Sequence, residues 1–252
     1  MILYVGCSYT WSSGLQYEYL LDKGWSVKEL NKVLPVNSHL EHLSYGADEY
    51  RKQNNWPNLV SKELDKAFVI GTYTNGGSQL STILPALNNA SIIARTNSID
   101  TVVIQFTDWL RDVGDEKISR YPGFITDIVT EEFIETTILN QMRQIVHVCN
   151  GMRASYDPNL KDHKFPKSPY PAWVGLSWQK DVGDVLKEHY PENFIPIHYK
   201  EKEYTSFSQI DKGLRLCDSI PGLKDEHLNS QGNKMIADSV IKKLKQYEST
   251  TD

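Results

Sequence analysis

Residues 2–8, ILYVGCS, decide the fold class of this chain. Ile2–Val5 form an uninterrupted apolar run that stops at Gly6. A short run of this kind that ends at a glycine is typical of a strand buried on both faces of a sheet. A turn and the start of a helix, from 8 to about 20, follow it. Because such a strand needs helices on both sides, the stretch predicts an α/β protein.

Apolar runs recur along the chain and helical patterns separate them. We predict further strands at 67–73, 100–106, 172–178 and 193–198, of which Pro196 weakens the last. Helical spacing predicts helices opened by Pro57, within 75–94, at 131–149, across 179–190 and at 229–247. The alternation predicts a mostly parallel sheet of about five strands inside a three-layer α/β/α sandwich.

The length of 252 residues suits one domain over 1–252. Residues 24–50 show no clear period. A long loop is expected at about 151–171, because residues 157–171 carry four prolines among polar residues. Loops of this length in a compact domain are often functional.

Composition excludes several classes of function. The net charge of −5 and the lack of a basic stripe argue against nucleic acid as a partner. The three cysteines lie far apart and match no metal-ligand spacing, so neither a disulfide framework nor a metal site is expected. Without a leader-like segment or a long apolar run, the chain is expected to be cytoplasmic and not in a membrane.

A serine nucleophile needs a base and a group that orients the base. Ser8 follows the first strand, and Asp225 and His227 lie together just before the last helix. Loops at the carboxyl ends of parallel strands line one crevice, so these three residues can meet despite their separation. Donors for an oxyanion are offered by the turn at 75–78, NGGS, and by Thr107, which follow the second and third strands.

Five short blocks in this order resemble the SGNH (GDSL-like) hydrolases over nearly the whole chain. The resemblance implies a flavodoxin-like sandwich that hydrolyses or transfers acyl groups through an acyl-serine, with no cofactor. It assigns Ser8 as nucleophile and oxyanion donor, Gly77 or Gly76 as a backbone donor, His227 as base and Asp225 as its partner. The blocks are Gly6-Cys7-Ser8-Tyr9, Trp56-Pro57, Asn75-Gly76-Gly77-Ser78, Gln105-Phe106-Thr107-Asp108 and Asp225-Glu226-His227-Leu228-Asn229.

The chain departs from the family pattern at several positions. Cys7 stands where an Asp is usual, and Thr107 stands where the family has an Asn that donates to the oxyanion. Asp225 precedes His227 by two residues, whereas three is common, so Asp218 is a second candidate for that role. We interpret Cys7 as a small buried residue; the hypothesis that it is the nucleophile ranks below Ser8.

The substrate is expected to be a small-molecule or carbohydrate ester. Asp108, Trp109 and Arg111 follow Thr107 and are candidates for substrate contact, and aromatic residues near strand ends could stack on sugar rings. Because the blocks that contain Cys7 and Thr107 depart from the family pattern, a second hypothesis is a non-catalytic binding module that retains the fold. Loss of acyl-enzyme formation in Ser8→Ala distinguishes the two.

Overall fold

The computed structural model describes residues 1–33, 45–71, 83–94, 99–106, 139–154, 168–177, 180–197 and 213–249. The strands in these ranges are β1 (Ile2–Val5), β2 (Phe68–Ile70), β3 (Thr101–Phe106) and β4 (Trp173–Ser177). The helices are α1 (Ser8–Trp11), α2 (Gly14–Asp22), α3 (Val27–Val33), α4 (Tyr45–Asn54), α5 (Trp56–Glu63), α6 (Leu84–Ala94), α7 (Leu139–Ala154), α8 (Lys180–His189), α9 (Leu216–Ser219) and α10 (Ser230–Glu248).

The four strands form one parallel sheet in the order β2-β1-β3-β4. Ile2 is in register with Phe68 on one side and with Thr101 on the other. The prediction of an α/β protein with a parallel sheet is therefore confirmed. Because all four strands run in the same direction, their carboxyl ends lie along one edge of the sheet.

Side chains alternate between two cores along β1. Leu3 and Val5 pack into the core formed with α6, α7 and α8, whereas Ile2 and Tyr4 pack into the core formed with α5 and α10. All four residues of β1 are buried, as the unbroken apolar run predicts. Helices cover both faces of the sheet, which gives three layers.

The helix expected from 8 to about 20 is two helices. Ser12, at the end of α1, adopts the left-handed conformation (φ 63°, ψ 47°), and the chain turns before α2 begins at Gly14. The Ser12 hydroxyl donates to Asn233 Oδ1 at 2.6 Å. A long-range hydrogen bond thus accompanies an unusual backbone conformation that the local pattern does not reveal.

The predicted fifth strand at 193–198 is reduced to a single parallel bridge between Gly175 and Phe194 among the described residues. Pro196 has no N–H, so it cannot extend the ladder. His198 lies outside the described residues.

Other segments also compare with expectation in ways that the local sequence does not reveal. Residues 151–154 belong to α7 rather than to a loop, while 155–167 lie outside the described residues. In the patternless segment 24–50 the structure has α3 and the first part of α4, whose sparse apolar residues give no clear period. The helix predicted at 131–149 is seen from Leu139 onward, and 131–138 are outside the described residues.

None of the helices in the described ranges has both the length and the apolar composition needed to cross a bilayer.

Candidate active site

Ser8 is the first residue of α1, directly beyond the carboxyl end of β1. Cys7 precedes it in extended conformation, and the Cys7 carbonyl accepts hydrogen bonds from the N–H groups of Thr10 and Trp11 at 2.9 and 3.1 Å. The N–H of the first residue of a helix has no partner within that helix. Ser8 therefore presents a hydroxyl and an amide together at the carboxyl edge of the sheet.

Ser8, His227 and Asp225 lie in a continuous line of hydrogen bonds. His227 Nε2 lies 2.8 Å from Ser8 Oγ, and His227 Nδ1 lies 3.1 Å from each carboxylate oxygen of Asp225. With Nδ1 protonated and bound to Asp225, Nε2 is left as the acceptor that faces the serine. The structure thus brings together the three residues singled out in the sequence, which are 219 residues apart at the extremes.

The three side chains differ in their burial. Ser8 is 8% exposed and Asp225 is 6% exposed, whereas the His227 side chain is 25% exposed. A buried carboxylate is costly unless it is paired, and Asp225 accepts both the imidazole N–H and the backbone N–H of His227. The imidazole in the middle of the line is therefore the most exposed of the three side chains.

Backbone hydrogen bonds hold the loop that carries Asp225 and His227. The carbonyl of His227 accepts from Leu216 N–H and that of Asp225 accepts from Cys217 N–H, both at 2.9 Å. Arg215 forms an antiparallel bridge with Leu228 on the same path. Residues 215–217 therefore hold the backbone of the loop that carries the imidazole in place.

Asp218, the second candidate for the carboxylate, has another partner. Its Oδ2 lies 2.9 Å from Arg215 Nε, and its Oδ1 accepts from Arg215 Nη2 at 3.0 Å. The carboxylate that contacts the His227 ring is Asp225.

Tyr9 and Gly14 contact the histidine from the nucleophile side. The Tyr9 ring lies 5.0 Å from the His227 ring, and its hydroxyl donates to the Glu226 carbonyl at 3.2 Å. A Cβ built on Gly14 would lie 2.5 Å from the Leu228 carbonyl oxygen and 3.0 Å from His227 Cβ. The beginning of α2 therefore packs against the histidine loop with no room for a side chain.

Gln105 lies beneath the nucleophile turn. Its Oε1 accepts from the Thr10 hydroxyl at 2.9 Å and from the Cys7 thiol at 3.3 Å, and all three side chains are buried. A Cβ on Gly6 would overlap Thr10 Oγ1. The Cys7 thiol therefore points into the protein towards β3, while the Ser8 hydroxyl points towards the histidine.

A buried cation supports α1 from the other side. The Arg51 guanidinium lies 3.6 Å from the centre of the Trp11 ring and donates to the Trp11 carbonyl at 3.0 Å. Asp48 Oδ1 accepts from Arg51 Nη2 at 2.6 Å. Burial raises the pKa of Asp48, but hydrogen bonds from Lys52 and Arg51 outweigh it and leave that pKa below its usual value. The carboxylate and the guanidinium therefore pair as ions.

α2 is also fixed to the beginning of α10. The Glu18 carboxylate accepts from the Ser230 N–H at 3.1 Å and from the Ser230 hydroxyl at 3.0 Å. Burial raises the pKa of Glu18, and the two hydrogen bonds from Ser230 partly oppose the increase.

Several expected site residues lie outside the described residues: Gly76, Gly77, Thr107, Asp108, Trp109 and Arg111. Within the described ranges, no group of three His, Cys, Asp or Glu residues is arranged to hold a metal ion.

Sequence reasoning missed the supporting residues Gln105, Arg51 and Asn233. Gln105 carried a usable signal, because a glutamine inside the apolar run TVVIQF must find a partner in the core. Arg51 and Asn233 lie on helices among other polar residues, where one more polar side chain carries no signal.

The geometry satisfies the requirements for proton transfer from a serine. A base must lie within about 2.6–3.2 Å of the hydroxyl, and a third group must orient it. The separations given above meet both conditions without any movement. Comparison of the chain with protein-family models, with curated proteins and with solved structures gives no match.

Proposed function

We propose that this protein is a serine-dependent esterase or acyltransferase that acts on an O-acyl ester through an acyl-enzyme at Ser8. The observation that carries the proposal is the hydrogen-bonded line from Ser8 Oγ through the His227 ring to Asp225. A serine hydroxyl, an imidazole nitrogen and a buried carboxylate in this order form the arrangement that activates serine for attack on a carbonyl carbon.

The residues perform acyl transfer in two steps. Ser8 Oγ attacks the carbonyl carbon of the ester while its proton passes to His227 Nε2. The tetrahedral intermediate then collapses, the bond to the alcohol oxygen breaks, and His227 returns the proton to that oxygen. In the second step, water or a second alcohol attacks the acyl-serine while His227 takes its proton. The bond to Ser8 Oγ then breaks, His227 returns the proton to that oxygen, and the acyl group is released. Asp225 stays ionised and stabilises the imidazolium formed in each step.

An oxyanion site completes this mechanism. The Ser8 amide adjoins the nucleophilic oxygen, and the resemblance to SGNH hydrolases adds Gly77 and Thr107 as donors and Asp108, Trp109 and Arg111 as substrate contacts. The strand order β2-β1-β3-β4 supports the finer expectation of a flavodoxin-like sheet. A small-molecule or carbohydrate ester remains the proposed substrate class.

Ser8 is favoured over Cys7 as the nucleophile. The Cys7 thiol donates to Gln105 in a buried site, whereas the Ser8 hydroxyl faces the imidazole. A thiol acts as a nucleophile when a neighbouring base or cation favours the thiolate, and here the contact of the Cys7 thiol is an amide oxygen.

Covalent labelling with a fluorophosphonate tests the proposal. We expect the intact protein to be labelled at Ser8, as mapped by mass spectrometry, and to hydrolyse p-nitrophenyl acetate. Ser8→Ala should abolish labelling, and His227→Ala should lower its rate by about 10³-fold or more because the base is lost.

Matched variants control for folding and for the rival nucleophile. His147→Ala removes an exposed histidine from α7 and should leave both readouts unchanged. Cys7→Ser should retain labelling. If the folded protein shows neither labelling nor hydrolysis, the enzyme proposal fails and the non-catalytic binding module becomes the better hypothesis; labelling that survives Ser8→Ala but not Cys7→Ser would make Cys7 the nucleophile.

A further inference from the structure

A groove of about 980 Å³ lies between α10 and the edge of the sheet beyond β4. One wall is a face of α10 from Gln231 to Gln246, and the other is formed by Lys187 of α8 and by residues between 191 and 197. At about 1.5 Å per residue the α10 wall is about 22 Å long. This length suits an extended or helical ligand better than a compact one.

The α10 wall is a separate face of the helix from the one that packs on the sheet. The core face carries Ile236, Val240 and Leu244. The groove face repeats every three or four residues and consists of Gln231, Lys234, Met235, Asp238, Ser239, Lys242, Lys243 and Gln246. The helix therefore holds the groove wall rigid through its buried face.

Basic side chains stand on both walls of the groove. The lining contains four lysines, Lys187, Lys234, Lys242 and Lys243, and Asp238 is its single acidic residue. Lys234 Nζ pairs with Asp238 at 3.0 Å, whereas the other three lysines have no ion-pair partner among the described residues. The groove therefore carries an excess of positive charge in a chain whose net charge is −5.

One of these ammonium groups is partly withdrawn from water. Burial lowers the pKa of Lys243, and the charge of Glu192 partly opposes the shift. A partly desolvated cation gains more from a carboxylate than an exposed one does, since screening by water is weaker there. Because Lys243 lines the groove, an anionic group that enters the groove would come close to this position.

Both walls of the groove also carry apolar side chains. They are Pro191, Phe194, Pro196 and Ile197 on one wall and Met235 on the α10 wall. A lining that combines apolar and basic side chains complements a ligand that carries both apolar side chains and carboxylates.

We propose that this groove binds an acidic amphipathic segment of another protein. A flat lipid surface would meet the lysines but could not enter the groove to contact its apolar side chains. The chain's own residues 198–212, which follow Ile197, carry three lysines and three acidic residues and so offer no net negative charge. The proposal is independent of the chemistry at Ser8.

The test measures fluorescence anisotropy of a labelled peptide of about 16 residues, built from leucine and glutamate with the leucines on one helical face. We expect the intact protein to bind it, with affinity that falls as salt is added. The triple variant Lys187→Glu, Lys242→Glu, Lys243→Glu should weaken binding about tenfold or more. The matched variant Lys28→Glu, Lys32→Glu, Lys62→Glu changes three exposed lysines elsewhere and should bind like the intact protein.

The controls make every outcome decisive. Circular dichroism and thermal unfolding establish that both triple variants are folded. A peptide with glutamine in place of glutamate and one with serine in place of leucine should each bind weakly. Equal binding of the glutamine peptide, equal loss in both triple variants, or no binding at all would overturn the proposal. Binding to anionic phosphatidylserine vesicles that depends on the groove lysines, without binding of the peptide, would overturn it in favour of a lipid surface.

Discussion

Gln105 supports the turn that carries Ser8 through hydrogen bonds to residues on either side of the nucleophile. One amide oxygen accepts hydrogen bonds from Thr10 in α1 and from Cys7, the residue before the nucleophile. Its Nε2 donates to the Phe106 carbonyl at 3.1 Å, which fixes the orientation of the amide. Gln105 is therefore a positioning residue, and its effect on catalysis depends on how far Ser8 moves when the support is removed.

Gln105→Met tests this role, since it keeps the length of the side chain and removes the acceptor. We expect kcat for p-nitrophenyl acetate to fall about tenfold to a hundredfold with little change in KM. The free energy of unfolding should fall by about 1–3 kcal/mol, because the buried Thr10 hydroxyl loses its partner. The measurements are steady-state kinetics and urea unfolding.

Two variants serve as controls for Gln105→Met. Thr10→Ser retains the hydroxyl and should retain most of the activity. Gln144→Met changes an exposed glutamine of α7 and should change neither quantity. A loss of stability in Gln105→Met with kcat unchanged would mean that Gln105 supports the fold alone.

The candidate site residues Ser8, Asp225 and His227 could be predicted from the sequence, but the buried residues that hold them in place could not. Ser8 follows an apolar run, and Asp225 and His227 are two residues apart ahead of a helix, so the local sequence marks them as candidates. The partner of Gln105 is 95 residues away in Thr10. Such a pairing depends on strand order, which the sequence left open.

At the scale of elements, the contact between α2 and the histidine loop sets the distance between base and nucleophile. Gly14 begins α2 and touches the backbone of Leu228, and Glu18 one turn later binds the start of α10. Helix propensity alone favours alanine over glycine by up to about 1 kcal/mol. At Gly14 an alanine would gain this helix propensity, but its Cβ would collide with the Leu228 carbonyl oxygen.

The pair Gly14→Ala and Gly151→Ala separates propensity from close approach. Gly151 lies in α7 with open space around its missing Cβ, so its change to alanine should raise the free energy of unfolding by about 0.5–1 kcal/mol and leave Ser8 labelling unchanged. Gly14→Ala should slow labelling about tenfold or more, since Leu228 and His227 must shift. Thermal unfolding and labelling rates measure the two effects. Normal labelling of Gly14→Ala would show that the loop yields without moving the base.

At this scale, β1 and β3 could be predicted because each is a strong apolar run. The places where a helix or a strand is interrupted could not be predicted. The apparent helix from 8 to about 20 is interrupted at Ser12, which has a positive φ and hydrogen-bonds to Asn233, 221 residues away. The fifth strand was expected from NFIPIH, but the backbone there makes one bridge before Pro196 ends the pairing.

At the scale of the whole molecule, Asn233 joins three helices behind the site. Its Oδ1 accepts from the Ser12 hydroxyl at 2.6 Å and from the Trp56 N–H at 3.2 Å, and its Nδ2 donates to the Asn229 carbonyl at 3.0 Å. The side chain is fully buried. One amide therefore connects the end of α1, the beginning of α5 and the first turns of α10.

Asn233→Ala should destabilise the protein by about 2–4 kcal/mol, because two buried donors lose their acceptor at once. Urea unfolding measures the change. Asn89→Ala replaces an exposed asparagine of α6 and should stay within about 0.5 kcal/mol of the intact protein. Equal stability of Asn233→Ala and the intact protein would show that water replaces the lost acceptor.

The separation of Ser8 from His227 along the chain makes the site a property of the assembled sheet rather than of any segment. A cut anywhere between 8 and 225 leaves the nucleophile on one fragment and the base with its carboxylate on the other. Each fragment would lack half of the chemistry, and only their reassociation around β1 could restore it. An intact site therefore requires both ends of the chain in one assembled fold.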